Sequence, residues 1–278
     1  MLGDILALFS AFCWALNGVV YKLGLRYGDV VTANFVRVTL TATGFVTIML
    51  LKGELFEILT DTPPRIWALV FLSAIFAFFV GDMLYMESIR RCGVSRAVPI
   101  SSTYPLFVSL WSALLFGRIE PNVVVGAALI VISIRLVVGG EGRRDFGGYA
   151  MALGGAVFWS FSITIVKTLT SYLPPEAIAG FRFAMVSVLL LPFALRRDFD
   201  PKCVKWMSLS SLIMISGNYA FVFALSISSA TVVSTLSSLY PILAQFLAMG
   251  VRERVTVRVI LGTVLAVLGV ALTTLITF

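Results

Sequence analysis

The sequence predicts an all-α polytopic membrane protein, with about ten transmembrane helices arranged as two inverted five-helix repeats around a central cavity. Three observations lead there. Hydrophobic residues make up 59% of the 278 positions and charged residues only 13%. With a mean hydropathy of +1.01, that is more apolar surface than a water-soluble fold could bury. The apolar residues fall into about ten stretches of membrane-spanning length. The chain is also written twice, and doubled sequences of this kind build many secondary transporters.

In order, the spans lie near 4–22, 30–51, 66–86, 96–116, 122–139, 148–168, 176–195, 206–225, 231–250 and 258–277. The stretch 66–86 is typical, with one charge, Asp82. At about 1.5 Å per residue it matches the ~30 Å hydrocarbon core of a bilayer. Connections are short, so the spans must pack as one bundle. The first span lacks a basic start and has a relative in mid-chain at 148–168, so it reads as a span and not as a cleaved leader.

The repeat is visible residue by residue. Trp14, Lys22 and Arg37 reappear as Trp159, Lys167 and Arg182 at a constant shift of 145 (159 − 14). Gly81, Ser101, Ser102, Tyr104 and Pro105 reappear as Gly217, Ser237, Ser238, Tyr240 and Pro241 at a shift of 136 (241 − 105). The expected units are 1–140 and 147–278. Five spans is an odd number, so the second unit must lie upside down relative to the first. Loops and span ends after spans 1, 3, 5, 7 and 9 hold fourteen Lys and Arg residues, against four in the other loops. By the positive-inside rule this bias places both termini outside.

Several function classes drop out. The net charge of +7 comes from residues at helix ends and loops, which topology explains, so no nucleic-acid partner is expected. Cys13, Cys92 and Cys203 form neither a CxxC nor an even set. With no histidine, His-based zinc sites and Ser-His hydrolysis are impossible. No GxxxxGK[ST] pattern occurs. No metal or cofactor is expected, and the chain is read as a non-enzyme.

Arg37, Asp82 and Arg182 are the ionisable residues placed well inside spans. Each costs at least ~2.5–3.5 kcal/mol on insertion scales, so each needs a partner or a wet cavity. Arg37 and Asp82 lie at similar depth and can pair. Arg182 is matched in depth by Asn218, the repeat equivalent of Asp82 (82 + 136). On the functional alternative Arg182 offers charge to an anionic or zwitterionic group, while Asp82 binds a cation or titrates. On the structural one the arginines snorkel to the interface.

The segments Ser101-Ser102-Thr103-Tyr104-Pro105 and Ser237-Ser238-Leu239-Tyr240-Pro241 carry prolines that break the helical ladder at the same place in both halves. In a bilayer such a break is tolerated toward protein or a wet cavity, which points to a substrate site near the midplane. The hydroxyls of Ser101, Tyr104, Ser237 and Tyr240 either bond a ligand or bond their own helix. Trp14 with Asn17, and Trp159 with Ser162, share helical faces that either line a cavity or pack helices. Small-residue stripes, Gly262/Ala266/Gly269 and Gly148/Ala152/Ala156, serve contacts inside the bundle or a homodimer.

The repeated residues resemble the EamA-type family of the drug/metabolite transporter superfamily over essentially the whole chain. Trp14 to Lys22 and Trp159 to Lys167, with Phe35-Val36-Arg37 and Phe181-Arg182-Phe183, are similar to that family's helix 1–2 signature. Tyr104-Pro105 and Tyr240-Pro241 resemble its fourth-helix motif. Arg252-Glu253-Arg254 with Gly262 resembles the acidic turn that opens its fifth helix. The first half departs from this, having Gly117 at the glutamate's position and Glu120 as the nearest acid. The resemblance implies ten helices, two inverted halves, a central cavity, both termini inside and movement of small metabolites, often export.

The expected function is therefore a secondary transporter of small polar metabolites (amino-acid-like, nucleoside, sugar or organic anion), acting by alternating access in the plasma membrane. Its partners are a small-molecule substrate and membrane lipid. A lipid-moving protein or a non-transporting scaffold is the alternative.

Overall fold

The computed structural model describes residues 1–116, 121–139 and 145–275, and no strand occurs among them. The helices are α1 (Leu2–Gly24), α2 (Val30–Lys52), α3 (Leu55–Asp61), α4 (Pro64–Ala74), a π-helical turn (Ile75–Gly81) and α5 (Asp82–Cys92). There follow α6 (Val94–Ser101), α7 (Tyr104–Phe116), α8 (Pro121–Val138), α9 (Phe146–Leu169) and α10 (Pro175–Ala194). The last four are α11 (Pro201–Ile227), α12 (Ala230–Ser237), α13 (Tyr240–Gly250) and α14 (Val257–Leu275). Among the described residues seven helical stretches are long and apolar enough to cross a membrane, with shorter apolar helices at Val124–Val138 and Val257–Leu272. The protein is an integral, multi-pass membrane protein.

Helix boundaries follow local chemistry. The Asp29 carboxylate accepts from the backbone N–H of Val31 (2.8 Å) and Thr32 (3.2 Å), satisfying donors that the start of α2 would otherwise leave open. Asp145 caps α9 and Asp200 caps α11 in the same way. Gly53, at φ 74°, ends α2 in the left-handed conformation that side chains disfavour. Pro175 and Pro201 sit in first turns, where a missing N–H costs nothing.

The structure adds two features to the sequence pattern and shows a third, the proline breaks, that the sequence predicts. A short exposed helix, α3, fills the connection after α2. The span predicted at 66–86 runs instead from Pro64 to Cys92 and contains the π-helical turn. There the Asp82 backbone N–H reaches back five residues to the carbonyl of Ala77. Both proline-marked spans are interrupted, α6 from α7 at residues 102–103 and α12 from α13 at 238–239.

The bundle is built from closely paired helices. α1 packs along α11, α2 along α10, and α8 along α14, while α9 lies against α4, the π turn and α5. Small residues make the close approaches. A Cβ on Gly262 would fall 2.7 Å from Val137 of α8, and Ser133 Oγ donates to the Gly262 carbonyl at 2.7 Å. Gly148 meets Arg91 and Cys92, and Ala152 and Ala156 are fully buried. Both stripes thus serve contacts within one chain.

Gly217 is another such seat, since a Cβ there would lie 2.6 Å from Cys13 Cβ on α1. Gly217→Val is expected to wedge α1 from α11 and destabilise the protein by ~1–3 kcal/mol, the usual cost of overpacking. Thermal unfolding in detergent reads this, and an unchanged midpoint would refute the close seat.

Candidate functional site

A cavity of about 90 Å³ lies between the helices, lined by side chains from both halves. α1 contributes Trp14, Asn17 and Tyr21, spaced so that all three share one helical face. α5 contributes Asp82 and Tyr85, and α7 contributes Tyr104. From the second half come Trp159 and Ser162 of α9, Arg182 of α10, Asn218 of α11 and Tyr240 of α13. Drug-sized pockets run to ~300–1,000 Å³, so this state admits only a small ligand, and a bulkier one needs the helices to part.

The π turn sets the electrostatics of one wall. It delivers Asp82 to the cavity, and two of its carbonyls also accept bonds from side chains. Ala77 O accepts from Trp159 Nε1 (3.2 Å), and Phe78 O accepts from Asn34 Nδ2 (2.8 Å). Asp82 Oδ2 accepts from Arg37 Nη2 at 2.5 Å, and Oδ1 accepts from Trp159 Nε1 at 2.9 Å. Arg37 also donates to Asn34 Oδ1 at 2.5 Å and lies 5.6 Å from the centre of the Tyr21 ring. The carboxylate is thereby committed to one charge-assisted bond and one indole bond. Gly81 permits it, because a Cβ there would sit 2.7 Å from the Trp159 ring.

The surroundings of Arg182 differ. Arg182 Nη2 donates to Ser162 Oγ at 2.7 Å, and Ser162 in turn donates to Ser73 O at 2.8 Å. The Arg182 guanidinium carbon stands 4.6 Å from the centre of the Phe78 ring, which is stacked on Phe183 at 4.0 Å. Asn218, placed where the repeat predicts a partner, is buried and its Oδ1 has no partner within the protein. Neither amide atom of Asn17 has one either.

Aromatic rings floor the chamber. Tyr104 stands edge-on between Trp14 (6.4 Å) and Trp159 (6.3 Å), and Trp14 also meets Phe221 at 4.9 Å. The two proline-motif tyrosines cross between halves. Tyr104 donates to Ser234 O at 3.0 Å, and the Tyr240 hydroxyl meets Ser101 Oγ at 3.1 Å.

Of the twelve residues singled out in the sequence, nine face the cavity: Trp14, Asn17, Asp82, Tyr104, Trp159, Ser162, Arg182, Asn218 and Tyr240. Three stand behind it. Arg37 is fully buried behind Asp82 and does not reach the interface as snorkelling would require. Ser101 is held by Val98 O and Tyr240, and Ser237 by Ser10 and Ala7 O, so their hydroxyls are consumed within the protein. Tyr21, Tyr85, Met214 and Phe221 line the cavity although the sequence did not single them out. Helical spacing carries the signal for all four. Tyr21 follows Asn17 by four, Tyr85 follows Asp82 by three, and Met214 and Phe221 flank Asn218 at four and three.

Beyond the cavity, the acidic turn has a structural task. Glu253 accepts from the N–H groups of Val94 and Ser95 at 2.8 Å each, capping α6, and forms an ion pair with Lys22 of α1. At the repeat-equivalent place Lys167 instead donates to the carbonyls of Leu225 (2.7 Å) and Ser228 (2.8 Å). Gly117 and Glu120, the first-half counterparts of the acidic turn, lie outside the described residues.

Comparison with known proteins agrees with this picture. A transporter of Archaeoglobus fulgidus, itself described as uncharacterized, is 31% identical over 98% of each chain. A second from the same organism is 22% identical over 97% of this chain and 96% of its own. A crystal structure superposes with a TM-score of 0.68 at 18% identity, covering 98% of this chain and 96% of the other, which is a likeness of fold. The EamA-like transporter family matches residues 1–139 and again residues 146–275. The chain belongs to the EamA-like transporter family.

Proposed function

We propose that the protein is a secondary transporter that exports small polar metabolites across the cell membrane by alternating access. In this reading the units 1–140 and 147–278 are inverted five-helix repeats, ten spans in all, and the chamber between them is the substrate site. The observation that carries it is that chamber: a largely apolar, aromatic-walled cavity bearing a few polar and charged groups, lined by both of two similar halves, in a member of a transporter family.

Reciprocal packing supports the two-fold arrangement. α1 lies on α11, and its counterpart α9 lies on the counterpart of α11, the α4–α5 stretch. α2 and α8 each pack on their own repeat mates, α10 and α14. Tyr104 reaches α12 while Tyr240 reaches α6. On one face the halves are joined by Lys22, Glu253 and the start of α6, a contact that alternating access would break and remake. A non-enzyme fits the site as well. Asp82 is tied to Arg37 and Trp159, whereas aspartyl chemistry needs two carboxylates sharing a proton.

The test is flux from liposomes holding the purified protein, loaded with a panel of amino acids, nucleosides, sugars and organic acids. Release of at least one water-soluble solute is expected. Lipid flipping without any such release would replace this reading with a lipid-moving one. A reporter enzyme fused after Phe278 fixes the orientation. Activity outside is expected from the charge bias, and activity inside would overturn that placement.

A further inference from the structure

We infer that the chamber selects small organic monoanions, carboxylates with a flat apolar body, and that Arg182 is the residue that holds the charge. The inference rests on the transport reading above and adds the substrate class.

The asymmetry between the two halves carries it. Arg37 and Arg182 are repeat equivalents (37 + 145), as are Asp82 and Asn218 (82 + 136). In the first half the pair is complete, an arginine and an aspartate 2.5 Å apart whose charges cancel. In the second half the acid is replaced by an amide, and Arg182 forms no ion pair among the described residues. Both oxygens of Asp82 already accept a bond, Oδ2 from Arg37 and Oδ1 from Trp159, and neither lies within ion-pair distance of Arg182. Arg182 keeps one hydrogen bond, to neutral Ser162, and its Nε has no partner.

Charge counting then fixes the ligand's sign. Asp82 and Arg182 are the charged residues on the cavity wall, and Asp82 is already cancelled by Arg37 behind it. The chamber is left with one positive charge, buried to 4% exposure in a medium where charges interact strongly. A monoanion cancels it. A cation is repelled, and a dianion leaves an excess of negative charge. A carboxylate also suits guanidinium geometry, since two parallel N–H groups can meet its two oxygens. Asn17, 1% exposed with an unpartnered amide, also lines the cavity and supplies a further N–H donor. Phe78, Phe221, Trp14 and Trp159 offer ring faces and edges to an apolar body rather than to a sugar-like one.

Three probes of one shape separate the possibilities: benzoate, uncharged benzamide and benzylammonium, measured by calorimetry on protein in lipid nanodiscs. Benzoate is expected to bind about tenfold or more tightly than benzamide, with no binding of benzylammonium. Arg182→Gln should reduce benzoate to the level of benzamide. Asn218→Asp is the second variant, since it restores to the cavity wall the acid that the first half has at this repeat position. It should abolish the preference for benzoate while leaving the unfolding temperature unchanged or higher. Equal affinity for benzoate and benzamide, absence of binding by all three probes, or a preference that survives both variants would overturn the inference. Discs of neutral lipid and discs containing phosphatidylglycerol should give the same result. Loss of benzoate binding only in the anionic discs would assign Arg182 to a lipid phosphate instead. Benzoate that binds but is never released from liposomes would leave the anion site standing and remove the transport reading.

Discussion

Asp82→Ala is expected to destabilise the protein by about 3–5 kcal/mol, the cost of leaving a buried charge without its partner. Arg37 is 0% exposed, and its carboxylate partner lies 2.5 Å away. Removing Asp82 strands that guanidinium among Tyr21, Phe78 and Phe183, whose rings offer only weak cation–π compensation. It also removes the shorter of the two bonds from Trp159 Nε1, leaving the one to Ala77 O of the π turn. The double replacement Arg37→Leu/Asp82→Leu should recover most of the loss, because an apolar pair of similar bulk avoids the desolvation cost of both ions. Thermal unfolding of the two variants in detergent measures this. Equal destabilisation by the single and double changes would show that the ion pair is not what the site depends on.

Glu253→Ala is expected to cost at least about 1.5–3 kcal/mol, the worth of one hydrogen bond to a charged group, and to loosen one face of the bundle. Three donors converge on that carboxylate: Lys22 Nζ and the N–H groups of Val94 and Ser95. The side chain is 7% exposed, so water replaces it poorly. These contacts tie α1 and the first turn of α6 to the turn after α13, across the two halves. Spin labels at the exposed positions Arg26 and Arg254 should show a wider distance distribution in the variant than in the wild type. Identical distributions would mean that this contact does not hold the face shut. Glu253→Gln, which keeps an oxygen acceptor, should fall between the two.

The apolar helices were legible because bilayer thickness and apolar runs are tied by simple length, and seven stretches among the described residues are long and apolar enough to cross a membrane. The pairing of Arg37 with Asp82 was legible from depth alone, and the broken helices from Pro105 and Pro241. The π turn was not. Nothing in the composition of Ile75–Gly81 differs from an ordinary apolar helix, and its extra residue is stabilised by Asn34 and Trp159, far away in sequence. The same limit hid the inward hydroxyl bonding of Ser101 and Ser237, whose partners are Tyr240 and Ser10. Tyr21 and Tyr85 were within reach of helical spacing, since each continues a face already marked by Asn17 or Asp82.

The most direct check on a central passage is to plug it. Asn17 lines the cavity, and its amide is unpartnered within the protein, so Asn17→Phe fills the chamber while removing no bond the fold uses. In liposomes, solute release by the wild type should fall to the protein-free rate in Asn17→Phe, with the unfolding temperature maintained. Release that continues at the wild-type rate through a filled chamber would contradict the account.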